Sequence, residues 1–241
     1  MNLKALKPQY SWMMLVTLLM AAASSLSQAT LADPGMDDPT IHSDPQPLLM
    51  HKINKLVDRL SDSAEKIRSD QSVAYQISDE LIAPHIDFPR ITRLVIGKYW
   101  NTASDAQRRQ LVEEIKALLI RSYVTAMTSY VDEIIEHQKR TTFQPSRYKD
   151  GDTKASVRAS IPLSGGQTAD VQYQLYYKDA WKIYDIRIEG ISLAITYRTS
   201  FGEQIKRDGL DNLIAQLAER NRKGDVELPE SIGPASETKP R

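Results

Sequence analysis

Four histidines and a few well-spaced carboxylates are the groups in this chain with types suited to chemistry. His42, His51 and His85 stand apart from one another, and His85 directly follows Pro84 in a turn. His137 follows Glu133 by one helical turn, which offers two ligands on one face. A metal needs three or four converging groups, so the pair predicts a solvated helix end rather than a metal centre. Asp185 and Glu189 fall on one face of a segment read as a strand. Such a pair could do acid–base work if burial raised one pKa; hydrogen bonding within the fold is the simpler role. Lys139, Arg140, Arg147 and Lys149 form a mildly basic rim, able to meet an anionic group or to stand as solvated charges on an edge strand. Gly165-Gly166 lacks the following helix start that a phosphate cradle requires. No nucleophile elbow, phosphate-binding loop or dinucleotide glycine fingerprint is present.

The chain has no cysteine. That excludes a disulfide framework, thiol nucleophiles and cysteine-based zinc sites, so a hydrophobic core must hold the domain together. It also leaves no cysteine to carry a lipoprotein anchor. The N-terminus reads as a secretory leader: Lys4 and Lys7, then an apolar run from Trp12 to Ala23, then Ser27-Gln28-Ala29 as a cleavage site. A second possible cut follows Ala32. The run is shorter than the roughly 20 residues a spanning helix needs. Loss of Lys4 and Lys7 from 31 basic and 31 acidic residues leaves a slight acidic excess, which argues against a general nucleic-acid binder.

These groups need elements to position them. Residues 30–47 are rich in Pro, Asp, Gly and Ser and read as a flexible lead-in; residues 224–241 read as a disordered polar tail. The folded unit is 48–223. Leu49, Ile53, Leu56, Val57, Leu60, Ala64 and Ile67 recur at helical spacing. A short helix covers Val73 to Ile82 and stops at Pro84. Asp87 caps a helix carrying Phe88, Ile91, Leu94 and Val95, and Gly97 ends it with a left-handed residue. Ser104 and Gln107 form a capping box. From there an apolar stripe through Leu111, Ile115, Leu119, Tyr123, Met127 and Ile134 predicts one helix of about eight turns, apolar enough to be sandwiched.

After Gln138 the period changes to two. Val157, Ala159 and Ile161 alternate with polar residues, as do Val171, Tyr173, Leu175 and Tyr177. Trp181 to Ile188 adds a strand, and a leading strand is expected near Thr141 to Tyr148. This is an antiparallel meander of about four strands. Helices from Ser192 to Lys206 and past Gly209 close an α+β layer fold.

Four segments are familiar in combination. They are Ile86-Asp-Phe-Pro-Arg-Ile-Thr-Arg-Leu-Val-Ile-Gly-Lys-Tyr-Trp100, Trp181-Lys-Ile-Tyr-Asp-Ile-Arg-Ile-Glu-Gly-Ile-Ser-Leu193, Tyr197-Arg-Thr-Ser-Phe201 and Gly209-Leu-Asp-Asn-Leu-Ile-Ala-Gln-Leu217. In this order the chain resembles the MlaC family of toluene-tolerance auxiliary proteins from about Leu48 to Arg220. Asp179-Ala180 departs from it, since the family commonly has a glycine before the strand tryptophan. The resemblance implies an NTF2-like fold of four to five strands packed with a helical subdomain around an apolar cavity. It implies a periplasmic phospholipid carrier that maintains outer-membrane lipid asymmetry, without catalytic residue or cofactor other than lipid as cargo. It also implies two partners: an MlaA-type outer-membrane lipoprotein held by a porin, and an MlaD-type ring of an inner-membrane ABC transporter.

On this reading the protein is a monomeric shuttle. The inward faces of the long helix and the sheet predict a lipid-facing wall of Leu94, Ile115, Leu119, Tyr123, Met127, Val171, Tyr173, Leu175, Ile186 and Ile188. A filled core has the same periodicity as a cavity wall, so the pattern serves both. Two alternatives stand beside it: a non-catalytic periplasmic adaptor with a solid core, and an NTF2-like enzyme using Asp185 or Glu189.

Overall fold

Asp44 starts the first helix. Its carboxylate accepts from the Gln46 N–H at 2.9 Å, and Pro45 takes the first helical position, where no N–H is needed. In the computed structural model, which describes residues 43–224 apart from 130, 139 and 163–166, helix α1 is Pro45–Ser69. It begins ahead of Leu48, because a cap and a proline set the start before the apolar stripe does. The expected leader and tail, Gly165-Gly166 and Lys139 lie outside the described residues. Helix α2 (Ser72–Leu81) packs on α1, and a 3-10 turn, Ala83–His85, carries Pro84.

Asp87 caps α3 (Phe88–Ile96), accepting from the Arg90 N–H at 3.0 Å. Gly97 ends it at φ 60°, ψ −129°. The positive φ was expected, but the ψ is not that of a left-handed helical residue, and a 3-10 turn, Gly97–Asn101, follows. A Cβ added at Gly97 would also meet the Arg198 Nε at 2.7 Å. The end of the arginine can move aside; the backbone cannot. Gly97→Ala is expected to cost about 1–3 kcal/mol, read as a lower urea midpoint with unchanged m-value.

The capping box forms as predicted. The Ser104 N–H donates to Gln107 Oε1 at 2.8 Å, and the Gln107 N–H donates to Ser104 Oγ at 3.2 Å. The long apolar stripe is carried by α4 (Asp105–Ser129) and α5 (Val131–Gln138), with residue 130 outside the described residues. Leu111, Ile115 and Leu118 pack with α3 and the two C-terminal helices, α6 (Leu193–Asp208) and α7 (Leu210–Lys223). Tyr123, Val124 and Met127 pack with α1 and α2. The long helix is sandwiched, as its girth suggested.

The sheet is a five-stranded antiparallel meander in chain order: β1 (Thr142–Phe143), β2 (Lys154–Pro162), β3 (Thr168–Tyr177), β4 (Trp181–Ile188) and β5 (Ile191–Ser192). The leading strand is shorter than the expected Thr141 to Tyr148. Its last backbone bond to β2 is from the Gln144 N–H to the Arg158 carbonyl; Pro145 then has no N–H to offer. Strand β5 completes the four to five strands that the resemblance implies, where alternation alone predicts about four. It returns on β4 through Glu189 and Gly190, at φ 49° and 80°.

Register places Val157, Ala159, Ile161, Val171, Tyr173 and Leu175 on one buried face. A bulge between Gln174 and Leu175 changes the parity of β4: Ile183 pairs with Leu175, yet Ile186 pairs with Tyr173 and Ile188 with Val171. An odd and two even positions thereby share the inward face. Leu49 and Ile53 of α1 cover it. The apolar interior thus falls into three clusters, one within the helices α1, α2, α4 and α5, one between α1 and the sheet, and one within α3, α4, α6 and α7. Among the described residues, no helix is long and apolar enough to cross a membrane.

Candidate functional site

Between the α1–α2 pair and the sheet lies a small pocket, partly open to solvent, with a cavity volume of about 30 Å³. Helix α1 lines it with Leu49, Lys52, Ile53 and Leu56. Spacings of three and four put these on one helix face. Leu81 and Ile82 close the far side at the end of α2. His85 and Ile86 come from the proline turn, which is held to the sheet by a parallel bridge from Ile86 to Ile183 and by the Asp87 N–H on the Ile183 carbonyl. Tyr173 and Ile183 form the sheet side. The lining is overwhelmingly apolar, and its two charged or titratable nitrogen groups are Lys52 and His85.

His85 sits below its ordinary pKa of 6.5, first through burial and then through the charges of Lys52 and Lys182. The sign follows directly. The unfolded chain takes up the proton more readily, so this residue lowers stability as pH falls through 6.5 towards the folded value, and has no effect above it. His85→Asn is expected to flatten the pH dependence of the urea midpoint between pH 7.5 and 5.

Tyr123, across from the sheet on α4, has a buried hydroxyl with no hydrogen-bond partner among the described residues. Burial, and secondarily Tyr173, push its phenol well above the usual pKa. An orphaned buried hydroxyl is costly. Tyr123→Phe should therefore stabilise the lipid-free protein by about 1 kcal/mol, measured by urea denaturation.

The residues singled out for chemistry do not converge. Asp185 is buried, and its Oδ1 accepts from the Ala194 N–H at 3.2 Å, fixing the start of α6; Oδ2 lies 3.8 Å from Arg187 Nε. Glu189 lies beyond the end of β4 rather than on its face, and its Oε1 accepts from the Asp170 N–H at 2.7 Å. Both carboxylates hold backbone. His137 is buried, not solvated, because the end of α5 turns against β2; its Nδ1 lies 3.3 Å from Arg140 Nη2. Among the described residues no cluster of three metal-ligating groups exists. Of the basic rim, Arg140 pairs with Glu136 at 3.4 Å, and Arg147 and Lys149 are exposed; none of these three lines the pocket.

The ten expected wall residues are distributed over all three clusters. Val171, Tyr173, Leu175, Ile186 and Ile188 share the sheet face, and Tyr123 and Met127 belong to the helical cluster facing α1 and α2. Leu94, Ile115 and Leu119 pack with α6 and α7. Tyr173 is the one among them that lines the described pocket. Of the two polar groups in the lining, the sequence analysis named His85 only as a lone histidine in a turn and did not name Lys52. The signal available was the spacing of Lys52 within the α1 stripe and the lone histidine after Pro84.

A family model described as MlaC protein matches residues 51–219. The chain belongs to the MlaC family. Two relatives share sequence along most of its length. The toluene tolerance protein ttg2D of Pseudomonas putida is 24% identical over 169 residues, covering 69% of this chain and 75% of the relative. The intermembrane phospholipid transport system binding protein MlaC of Haemophilus influenzae is 20% identical over 177 residues, covering 72% and 80%. Among solved structures, a phospholipid-binding protein from Ralstonia solanacearum, in complex with a phospholipid, is similar with a TM-score of 0.62 and 27% identity. That match covers 76% of this chain and 99% of the other. The MlaC architecture and the pocket between α1–α2 and the sheet therefore occur together in this chain.

Proposed function

We propose that this protein binds a phospholipid by its acyl chains and carries it through the periplasm between outer-membrane and inner-membrane complexes. The observation that carries the reading is an apolar pocket between helices and sheet in a chain of the MlaC family, one of whose structural relatives was solved with a phospholipid. A diacyl lipid exposes about 30 methylenes, each worth about 0.8 kcal/mol in water, so unassisted crossing is negligible and a carrier has a physical task. No bond need be broken, and Asp185 and Glu189 are engaged in holding backbone; the protein is not an enzyme on this reading.

Volume sets how the pocket must work. If each methylene fills about the ~30 Å³ share of a water molecule, two chains need about 900 Å³, far more than the pocket holds, with its cavity volume of about 30 Å³. Loading therefore parts α1–α2 from the sheet. Val171, Tyr173, Leu175, Ile186 and Ile188 then become one wall, and Tyr123 and Met127 the other; Leu94, Ile115 and Leu119 extend it towards α6. An MlaA-type lipoprotein with its porin and an MlaD-type ring are the partners for loading and unloading, and the leader ending near Ala29 directs the chain to the periplasm.

Native mass spectrometry of the protein secreted into a bacterial periplasm, followed by organic extraction, tests the reading. Phospholipid at one per chain or above is expected. A ligand-free protein that also takes no lipid from vesicles would leave a solid-cored adaptor as the better account.

A further inference from the structure

Lys52, His85 and Lys182 come from three separate elements, α1, the proline turn and β4. Lys52 and His85 line the pocket, and Lys182 neighbours the pocket residue Ile183. The Ile86–Ile183 bridge and the Asp87 N–H on the Ile183 carbonyl set the proline turn beside β4 next to Lys182, and the charges of both lysines act on His85. None of them takes part in an ion pair among the described residues. The nearby carboxylate in sequence, Asp87, is occupied in capping α3. The two ammonium groups flank an imidazole kept neutral without a counter-ion, and the low-dielectric wall beside them strengthens their field. An anion at this place would offset that field, and it would accept from ammonium and imidazole donors together.

We propose that Lys52, His85 and Lys182 form a phosphate-recognition rim that grips the phosphodiester of the lipid whose chains occupy the adjoining pocket. The proposal rests on the carrier reading above and adds to it a headgroup contact. The two halves are complementary: most of the lining is apolar, and its one ammonium, Lys52, has His85 beside it in the same lining. A diacyl phospholipid has the same order, apolar chains joined through a short glycerol to one anionic phosphate. Chains lying against the apolar lining leave the phosphate to meet Lys52 and His85. Binding of the anion also favours the protonated imidazole, so His85 gains a proton as the lipid enters.

Lipid-stripped protein is offered two ligands with identical chains in detergent micelles, phosphatidylglycerol and the uncharged diacylglycerol, and occupancy is read by native mass spectrometry. The wild type is expected to favour phosphatidylglycerol at least tenfold. In Lys52→Gln/Lys182→Gln, phosphatidylglycerol binding should fall at least tenfold and diacylglycerol binding by much less, with far-UV circular dichroism unchanged. His85→Gln alone should give a smaller loss in the same direction, and NMR of the wild type should show the His85 imidazole protonating on loading. Equal affinity for the two lipids, or no change in the double variant, overturns the rim and leaves the carrier reading intact. Uptake of neither lipid overturns both. Inorganic phosphate is titrated in parallel: millimolar phosphate that shifts His85 in lipid-free protein, with no preference between the lipids, would assign the cluster to a free anion and overturn the headgroup contact.

Discussion

An Ile82→Glu variant is expected to emerge from secretion and purification with less than one tenth of the wild-type phospholipid content and with an unaltered fold. Ile82 lines the pocket from the end of α2 and is half-buried. In the lipid-free protein a glutamate there can turn its carboxylate to solvent, so the fold tolerates it. In the loaded protein the same carboxylate faces acyl chains, where it has no donor and no water. Burying a charge without a partner costs several kcal/mol, and about 2.7 kcal/mol already weakens binding about 100-fold. Native mass spectrometry gives the lipid content, and a thermal melt by circular dichroism verifies the fold. Wild-type occupancy in a folded variant would remove this pocket from the lipid path.

The largest loss of stability is expected at Trp181. Its indole is buried at the start of β4, meeting Tyr148 and Tyr177 edge-on at centroid distances of 5.9 and 5.4 Å. Its Nε1–H donates to the Ser43 carbonyl at 2.9 Å, just before the cap of α1. One side chain therefore joins the sheet to the entry of the first helix. Trp181→Ala should cost about 3–5 kcal/mol. Trp181→Phe keeps most of the packing, loses the hydrogen bond and should cost about 1–2 kcal/mol. Urea denaturation separates the two; equal small losses would mean that the indole is not what fastens α1.

The elements were legible where a local rule decides them. Ser104 and Gln107 needed only each other, and the inward residues of β2 and β3 follow from alternation. Sequence misled where tertiary contact decides. His137 ends a helix and looked solvated, but packing against the sheet buries it. Glu189 looked like part of a strand face, but it lies past the end of β4, at φ 49°. The bulge opposite Gln174 and Leu175 has no marker residue, yet it determines which isoleucines of β4 point inward. The site was the least legible part. Lys52, His85 and Lys182 are far apart in the chain and ordinary in type, and only the folding of α1 and the proline turn onto β4 assembles them.

The order of the sheet has a kinetic consequence. Each strand pairs with its neighbour in the chain, so only short loops must close for the meander to form, a low entropic demand. The covering of that sheet by Leu49 and Ile53 is different, since α1 and β3 are separated by most of the folded chain. Closing that long interval carries a larger entropic cost than closing any hairpin of the meander. By the same reasoning it is the interface whose release undoes the fewest local contacts. The surface with the longest closure is also the one that lines the pocket, so on the proposed carrier reading the molecule opens by retracing that closure while the meander stays intact.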